Sequence, residues 1–356
     1  MLTVNEIPRK AQSEPFPADG ALSEKLKYVL RYSESAAELF GARPWNAEVV
    51  GDAIEIGLAP NARLKKVDFD GRESVIAAGS AIYLLRLALH CHLMEPQVRV
   101  KPDFKRPSLL ARLEIVGRAA PSPEELELFS LLTGDMGEAS SSPPLDVLAP
   151  DFQYLRSNAC EEGATLRYVE NEFLRSMTAS MLQSGDHLYY HAEKERDAFR
   201  SWLGVRSDCD QGGSEFVNWV VFPNEIAEFS APTSEESRVQ PALAVLCTTH
   251  DDERNWLNVG QALGRLHLAS SALGMKFSIF NQPLQVPGMR ARFARETGFC
   301  NFPQVIVRIS FDSNGPADAR AYYQAIRRSA SLGKQPCECG CDGDCKGSDH
   351  EDSRRY

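Results

Sequence analysis

The segment GQALGRLHLASSALGM, from Gly260 to Met275, decides the fold because it repeats an earlier part of the same chain. The segment GSAIYLLRLALHCHLM, from Gly79 to Met94, aligns with it without a gap at an offset of 181 residues. Six aligned pairs are identical: Gly79/Gly260, Ala81/Ala262, Leu85/Leu266, Leu87/Leu268, Ala88/Ala269 and Met94/Met275. An offset of about half of the 356-residue chain favours a duplication, although two apolar helices can share this much by composition alone.

Both repeated segments are apolar on nearly every face and contain no proline, which predicts helices buried in the middle of the protein. Two interpretations stay open. The segments are two ordinary core helices, or they pack on each other across a pseudo-two-fold axis, as equivalent helices of a homodimer do.

Helical and extended patterns alternate around the repeats. Helices are predicted at 21–40, 150–158, 171–184 and 187–203, and strands at 46–57, 97–101, 164–169, 241–248 and 304–310. The polar stretch ASSSPP at 139–144 is the best linker. We therefore expect a leader (1–20), a first half (21–138), a second half (145–332) and a cysteine-rich acidic tail (333–356). Within the second half, the aperiodic but apolar segment 204–239 is expected to form a lid.

Composition limits the partners. A formal charge of −10 and a pI near 5.3 argue against nucleic acid, which needs clustered Lys and Arg. The first 20 residues contain no apolar run long enough for a signal or a membrane span, so we expect a cytoplasmic protein without a membrane partner. Five scattered cysteines in the body are expected to be reduced: Cys91, Cys160, Cys209, Cys247 and Cys300.

The string WLNVGQALGRLHLASSALGMKFSIFNQPLQVPGMRARF, from Trp256 to Phe293, resembles the second-half signature of the Acg-like nitroreductases, a subfamily of the FMN-dependent nitroreductase superfamily. PALAVLCTTHDDERNW at 241–256, DGRESVIAAGSAIYLLRLAL at 70–89 and the hairpin-like AEVVGDAIEI at 47–56 support it. The resemblance covers roughly residues 21–311. It implies an α+β, nitroreductase-like α/β/α sandwich whose two related halves form an intrachain pseudo-dimer.

The same resemblance implies FMN in a cleft between the halves, with hydride passing from NAD(P)H to a small electron-poor substrate. The chain departs from the family where FMN is held. The Asn-x-Gln-Pro-Trp element that touches the flavin ring reads Gly41-Ala42-Arg43-Pro44-Trp45 here, and the Arg-rich phosphate element reads LLTGDM at 131–136. A phosphate beside Asp135 and without arginine is poorly held. Arg327 and Arg328 are substitutes that no motif places at the site.

Arg43 and Trp45 are candidate cofactor-binding residues in the first half, because they match the family's ring-contacting element. A guanidinium at position 43 would stabilise an anionic reduced flavin. The alternative for Arg43 is a surface salt bridge.

The second half contributes four further candidates. Asn281 and Gln282 follow the second buried helix and are placed to meet the flavin ring or a substrate, with a plain turn as the alternative. Gln261 and Arg265 lie four residues apart on one helical face, where they either point into the cleft or bridge the halves.

Motifs of other enzyme classes are missing from the sequence. It has no G-x-G-x-x-G, no GK[ST] loop and no H-E-x-x-H, which disfavours a Rossmann domain, a P-loop NTPase and a zincin. His90 and His92 flank Cys91 but diverge on a helix, which disfavours a metal site there. No catalytic residue is assigned, because a flavin carries out the hydride transfer itself.

The tail QPCECGCDGDCKGSDHEDSRRY places Cys337, Cys339, Cys341 and Cys345 within nine residues. Four clustered thiols on a glycine-rich segment are able to wrap Zn²⁺ or Cu(I), and a disordered acidic tail is the alternative. For the whole chain, the resemblance implies an FMN-dependent oxidoreductase, either a pseudo-dimeric monomer or a homodimer. The alternative is a degenerate nitroreductase fold that binds or sequesters a ligand or partner without turnover, carrying a metal-binding tail.

Overall fold

A computed structural model of the chain describes residues 15–36, 43–59, 68, 70–133, 149–169, 173–174, 176–178, 180–181, 242–273, 275–285, 288–299 and 301–311. The expected linker, lid and cysteine-rich tail lie outside these residues, as do most of the leader and most of the two helices predicted between 171 and 203. Those expectations stay predictions.

The first part of the chain runs through a strand pair, a long helix and a second strand pair. Its elements are α1 (Leu22–Val29), continued by a 3-10 turn (Leu30–Glu34), β1 (Trp45–Val50), β2 (Ala53–Leu58), α2 (Arg72–Cys91), β3 (Glu95–Val100), β4 (Leu109–Gly117) and α3 (Pro123–Thr133).

The later part repeats this order. Its elements are α4 (Ala149–Glu161), β5 (Thr165–Tyr168), β6 (Ala242–Thr248), α5 (Glu253–Ala272), β7 (Met275–Ile279), α6 (Gln282–Gln285), α7 (Met289–Thr297) and β8 (Phe302–Phe311). The main difference lies before the last strand, where α6 and α7 stand in place of the short β3–β4 connection.

Each strand set forms its own four-stranded antiparallel sheet. The spatial orders are β1-β2-β4-β3 and β5-β6-β8-β7, so the strand before each long helix and the last strand occupy the middle. Mixed helices and sheets of this kind confirm the predicted α+β class.

The two sheets differ in how they are covered. Every residue of β6 is buried, as expected of a strand covered on both faces, whereas β3 alternates between exposed and half-buried positions. The later sheet, formed by β5, β6, β7 and β8, has the main core on one face. A second core cluster packs on its other face, around Phe293, Phe280 and Ile306. The later sheet is therefore the more deeply enclosed of the two.

The long helices α2 and α5 contact each other at their glycines. A Cβ atom added at Gly79 would lie 2.8 Å from Gly260 Cα, and one added at Gly260 would lie 2.7 Å from Gly79 Cα. The nearest backbone carbonyls are those of Leu257 and Ile76, which are also 181 positions apart. Ser80 Oγ donates to the Gly260 carbonyl at 2.7 Å. Only residues without a side chain allow this approach, so α2 and α5 pack directly on each other, while the pseudo-two-fold relation between them stays a prediction.

The helix α2 is long and apolar enough to cross a membrane by length and composition. Most of that stretch is buried inside the protein, where Ile76, Ile82 and Leu85 belong to the main hydrophobic core. Its apolarity therefore serves packing against α5 and the first sheet, as in the core helix of a soluble protein.

The secondary-structure predictions agree with the described residues at most positions and fail at the edges. Met94 and Met275, which close the repeated segments, lie beyond the helices, and Met275 already begins β7. The long N-terminal helix breaks into α1 and the 3-10 turn, and only its residues up to 36 are described. Helix ends shift in this way because terminal turns lack half of their hydrogen bonds.

Candidate functional site

The start of α2 inserts two charged side chains into the junction with the later half. Arg72 is 2% exposed, and its guanidinium donates to the Gln304 main-chain carbonyl, to Gln304 Oε1 at 3.3 Å and to the Leu284 carbonyl at 3.2 Å. The same guanidinium forms an ion pair with Glu73 Oε1. A charge this deeply buried is tolerated because almost every donor has an acceptor.

A second carboxylate, that of Asp68, caps the same helix end. Its oxygens accept from Glu73 N and Ser74 N, each at 3.0 Å, and from Ser74 Oγ at 2.5 Å. Burial raises the pKa of Asp68, although the Ser74 hydrogen bonds oppose the change. Burial likewise raises the pKa of Glu73, opposed by Arg72 and reinforced by Asp68. At the start of α2, the carboxyl groups of Asp68 and Glu73 thus face one guanidinium, that of Arg72.

Asn281 reaches this junction from the other side, at the end of β7. Asn281 Nδ2 donates to Glu73 Oε1 at 2.5 Å, and the residue is 6% exposed. Its Oδ1 atom is buried and has no hydrogen-bond partner within the described part of the chain. Of the sequence candidates, Asn281 thus contacts the start of α2. The neighbouring Gln282 begins the short helix α6.

A polar network extends the junction towards the start of α5. Gln304 Nε2 donates to Thr248 Oγ1 at 2.9 Å and to Asp251 Oδ1 at 3.1 Å. Asp251 also accepts from Arg290, at 2.9 and 2.6 Å, and from Trp256 Nε1 at 2.8 Å. Burial opposes ionisation of Asp251, but these hydrogen bonds and Arg290 hold its pKa below the ordinary value. These hydrogen bonds fix the side chain of Gln304, whose Oε1 atom accepts a hydrogen bond from Arg72.

Gln261 and Arg265 occupy a different part of α5 and are bound to other side chains. Gln261 Oε1 accepts from Arg86 Nη1 of α2 at 2.8 Å. Arg265 Nε donates to Asn158 Oδ1 at 2.6 Å, and its guanidinium pairs with three carboxylates, Glu124, Glu161 and Glu162. Burial opposes the charge of Arg265, yet its acidic neighbours raise its pKa above the ordinary value. Both residues therefore connect α5 to side chains of neighbouring helices, and the two expected roles, in a cleft or as a bridge between the halves, stay predictions.

Arg43 and Trp45 are neighbours in sequence with opposite surroundings. The side chain of Arg43 is 42% exposed and contacts Glu34 Oε1 at 3.4 Å, the geometry of a weak surface pair. Trp45 is fully buried in the main core, and its Nε1 atom has no hydrogen-bond partner among the described residues. Within the described ranges, neither Arg43 nor Trp45 is hydrogen-bonded to Asn281.

The predicted metal ligands Cys337, Cys339, Cys341 and Cys345 lie outside the described residues. Among residues that are described, no group of three or more His, Cys, Asp or Glu side chains is placed to hold a metal ion. His90 pairs instead with Glu125 Oε1 at 2.8 Å, and His92 stacks on Phe16 with ring centroids 4.0 Å apart.

Sequence reasoning missed Arg72, Glu73 and Gln304, the residues that form the junction. One signal was available: Asp-Gly-Arg-Glu at 70–73 runs into the first turn of an apolar helix, where charged residues are expected to be exposed. That position alone does not reveal burial against β8, which comes from more than 200 residues later in the chain.

Comparison with known proteins adds a relationship over most of the chain. No family model matches. Two Mycobacterium tuberculosis proteins, one each from strains CDC 1551 and H37Rv, both carry the name "Putative NAD(P)H nitroreductase". The chain is 25% identical to each over 337 aligned residues, which cover 88% of this chain and 94% of each relative. Together with the α+β fold, this similarity supports a place for the chain in the nitroreductase superfamily.

Proposed function

We propose that the protein is a nitroreductase-like oxidoreductase of the Acg-like type, which passes hydride from NAD(P)H to a small electron-poor substrate with FMN as the electron carrier. The relatives' names support an NAD(P)H-dependent reductase. The long alignment supports a shared activity rather than one shared module, because it spans both sheets and both long helices.

We also propose that residues 21–138 and 145–332 form an intrachain pseudo-dimer. The observation that carries this proposal is the reciprocal contact of α2 and α5. Gly79 faces Gly260 and the Leu257 carbonyl, while Gly260 faces Gly79 and the Ile76 carbonyl, so that each contact maps onto the other by the 181-residue offset. An isologous interface has this self-complementary pattern. The matching strand orders of the two sheets support the same arrangement.

The described candidates do not fit the phosphate of FMN. A doubly charged phosphate needs cations or N–H donors that are not already matched. Arg72 is matched by Glu73, Arg265 faces three glutamates, and Asp68 already accepts N–H groups at the start of α2. None of these three groups is therefore free to hold the phosphate.

A second function is favoured by that mismatch. In this alternative the fold binds or sequesters a ligand or a partner without turnover, and the cysteine-rich tail handles Zn²⁺ or Cu(I). The neutralised guanidiniums support it, since a site that has lost its phosphate contacts holds FMN weakly.

One absorption spectrum of the freshly purified full-length protein, followed by titration with FMN, separates the two functions. The oxidoreductase is expected to be yellow as purified, or to quench added FMN fluorescence at a stoichiometry of one flavin per chain. A colourless protein that leaves the fluorescence and absorbance of FMN unchanged would reject flavin-dependent catalysis and favour the alternative.

A further inference from the structure

The carboxamide of Asn281 is held in one orientation. Its Nδ2 atom donates to Glu73 Oε1 at 2.5 Å, which leaves Oδ1 buried and without a partner in the described ranges. Rotating the amide by half a turn would place Oδ1 against a carboxylate oxygen, so that two acceptors would face each other. The side chain therefore presents a hydrogen-bond acceptor, and a buried acceptor without a donor calls for an explanation.

Glu73 is itself fixed by the groups around it. Arg72 donates to the same Oε1 atom, and the Arg72 guanidinium is bound to the carbonyls of Gln304 and Leu284. Neither Glu73 nor Asn281 is able to turn away without breaking this buried set. The acceptor is thus built into the junction.

The charges at the junction define what it accepts. Asp68 and Asp70 both raise the pKa of Glu73 electrostatically, and Arg72 is the cation that lowers the pKa of Glu73 and of Asp68. From the later half, Gln304 faces Arg72, and behind it Arg290 is paired with Asp251. An excess of acid beside an unpartnered carbonyl oxygen attracts N–H donors and repels phosphate or carboxylate groups.

We propose that Glu73 and Asn281 form an acceptor site for a ligand group that is neutral or cationic and carries an N–H donor, with Glu73 as the positioning residue. The carboxamide of a nicotinamide is such a group. This choice of group rests on the proposed function, and it assigns the amide end of NAD(P)H, not its phosphates, to the junction.

The site depends on the ionisation of Glu73. Protonated Glu73 carries an O–H donor, which satisfies Asn281 Oδ1 after the amide rotates and removes the acceptor from the ligand. Because Asp68 and Asp70 lie close by, protonation at Glu73 also relieves repulsion among the carboxylates. Ligand affinity therefore falls as the pH is lowered through the range in which Glu73 gains its proton.

The test measures binding of nicotinamide and of N,N-dimethylnicotinamide, which lacks the N–H donors, by ligand-observed NMR on the full-length protein. The wild-type protein is expected to bind nicotinamide about tenfold more tightly, the effect of about one hydrogen bond. Asn281→Leu removes the acceptor and should abolish the preference. Gln97→Leu, on the exposed edge strand β3, should retain it. A wild-type protein without preference, or an Asn281→Leu protein that keeps it, overturns the proposal.

Two further measurements keep the test decisive if Asn281→Leu does not fold. On acidification, the affinity of the wild-type protein for nicotinamide should fall while that for the dimethyl compound stays constant. Glu73→Gln, whose amide does not titrate, should show no such change. Equal pH dependence of both ligands in the wild-type protein contradicts the positioning role of Glu73.

Failure of this proposal and failure of the proposed function give different results. A protein that prefers nicotinamide but does not oxidise NAD(P)H retains the acceptor site and loses the assigned activity. A protein that oxidises NAD(P)H without discriminating between the two amides retains the activity and loses the acceptor site.

Discussion

Replacing Gly260 by alanine tests the contact on which the architecture depends. The new Cβ would lie 2.7 Å from Gly79 Cα and 2.9 Å from the Ile76 carbonyl carbon, with the Ile76 carbonyl oxygen closer still. Ordinary carbon contacts lie at about 3.5–4.0 Å, so α2 and α5 must separate by about 1 Å. The obstructing atoms are all backbone, and no rotamer change relieves them.

The expected cost follows from overpacking between two 20-residue helices whose contact surface is buried. Overpacking a core costs about 1–3 kcal/mol when side chains are able to adjust. Alanine in place of glycine returns about 1 kcal/mol through helix propensity. Since adjustment here requires moving whole helices, we expect a net destabilisation of about 3 kcal/mol for Gly260→Ala. Gly79→Ala should cause a similar loss, because its contacts are equivalent.

Urea unfolding followed by circular dichroism measures these losses, with Gly264→Ala as the matched control on the same helix. The nearest atoms to a Cβ at Gly264 are Tyr83 Cδ1 at 3.1 Å and Ser80 O at 3.3 Å. A small tilt of the Tyr83 ring relieves the first contact, and the second requires a shift of only a few tenths of an ångström. This control should stay within about 1 kcal/mol of wild type. The double variant Gly79→Ala/Gly260→Ala should lose less than the sum, since either change alone already separates the helices. A Gly260→Ala protein as stable as the control would refute the close contact.

Three other changes have expected outcomes. Arg265→Met should lower the free energy of unfolding by about 2–3 kcal/mol, because the 4%-exposed Glu162 loses one of its two arginine partners. The control Arg292→Met removes an exposed ion pair within one helix and should change the free energy of unfolding by about 0.5 kcal/mol or less. Equal effects in urea unfolding would contradict the buried bridge. Asp251→Asn should cost about 2 kcal/mol at neutral pH. Because the folded pKa of Asp251 lies below its ordinary value of 3.8, its stabilising contribution is complete above that value and lost as the pH falls through the folded pKa. The difference in the free energy of unfolding between wild type and Asp251→Asn should therefore shrink as the pH is lowered. A difference that does not change with pH would contradict the stabilising role of the ionised Asp251. Elemental analysis should find Zn²⁺ or Cu(I) in the full-length protein and not in a chain ending at Gly333. Equal metal content in the two proteins would contradict metal binding by the cysteine-rich tail.

The fold could be predicted from sequence in segments with a clear hydrophobic periodicity and in the two repeated segments. The apolar faces of the two repeated segments and their lack of proline predicted that α2 and α5 are buried, whereas contact between them was one of two interpretations left open. The hairpin at 45–58 and the strand at 242–248 followed from short β-branched and apolar runs bounded by turns. Strand β4 and helix α3 were not predicted, because the segment at 109–133 mixes charged and apolar residues without a clean period.

The candidate site was less predictable because its parts are distant in sequence. Asn281 stood out as a polar residue after the second buried helix, but its partner Glu73 lies 208 positions earlier in the chain. Gln261 and Arg265 were recognised as polar residues on a buried helix, yet only packing against Arg86 and Glu162 reveals that they bridge helices. A sequence motif marks the local chemistry of a residue and does not disclose which distant charge neutralises it.

Steady-state oxidation of NADH and NADPH by the full-length protein, measured with added FMN and a nitroaromatic acceptor, tests the proposed function most directly. We expect the dihydronicotinamide absorbance to fall at a rate that is proportional to protein concentration and depends on both FMN and the acceptor. A rate no higher than that of free FMN with the same acceptor would contradict an NAD(P)H-dependent nitroreductase activity.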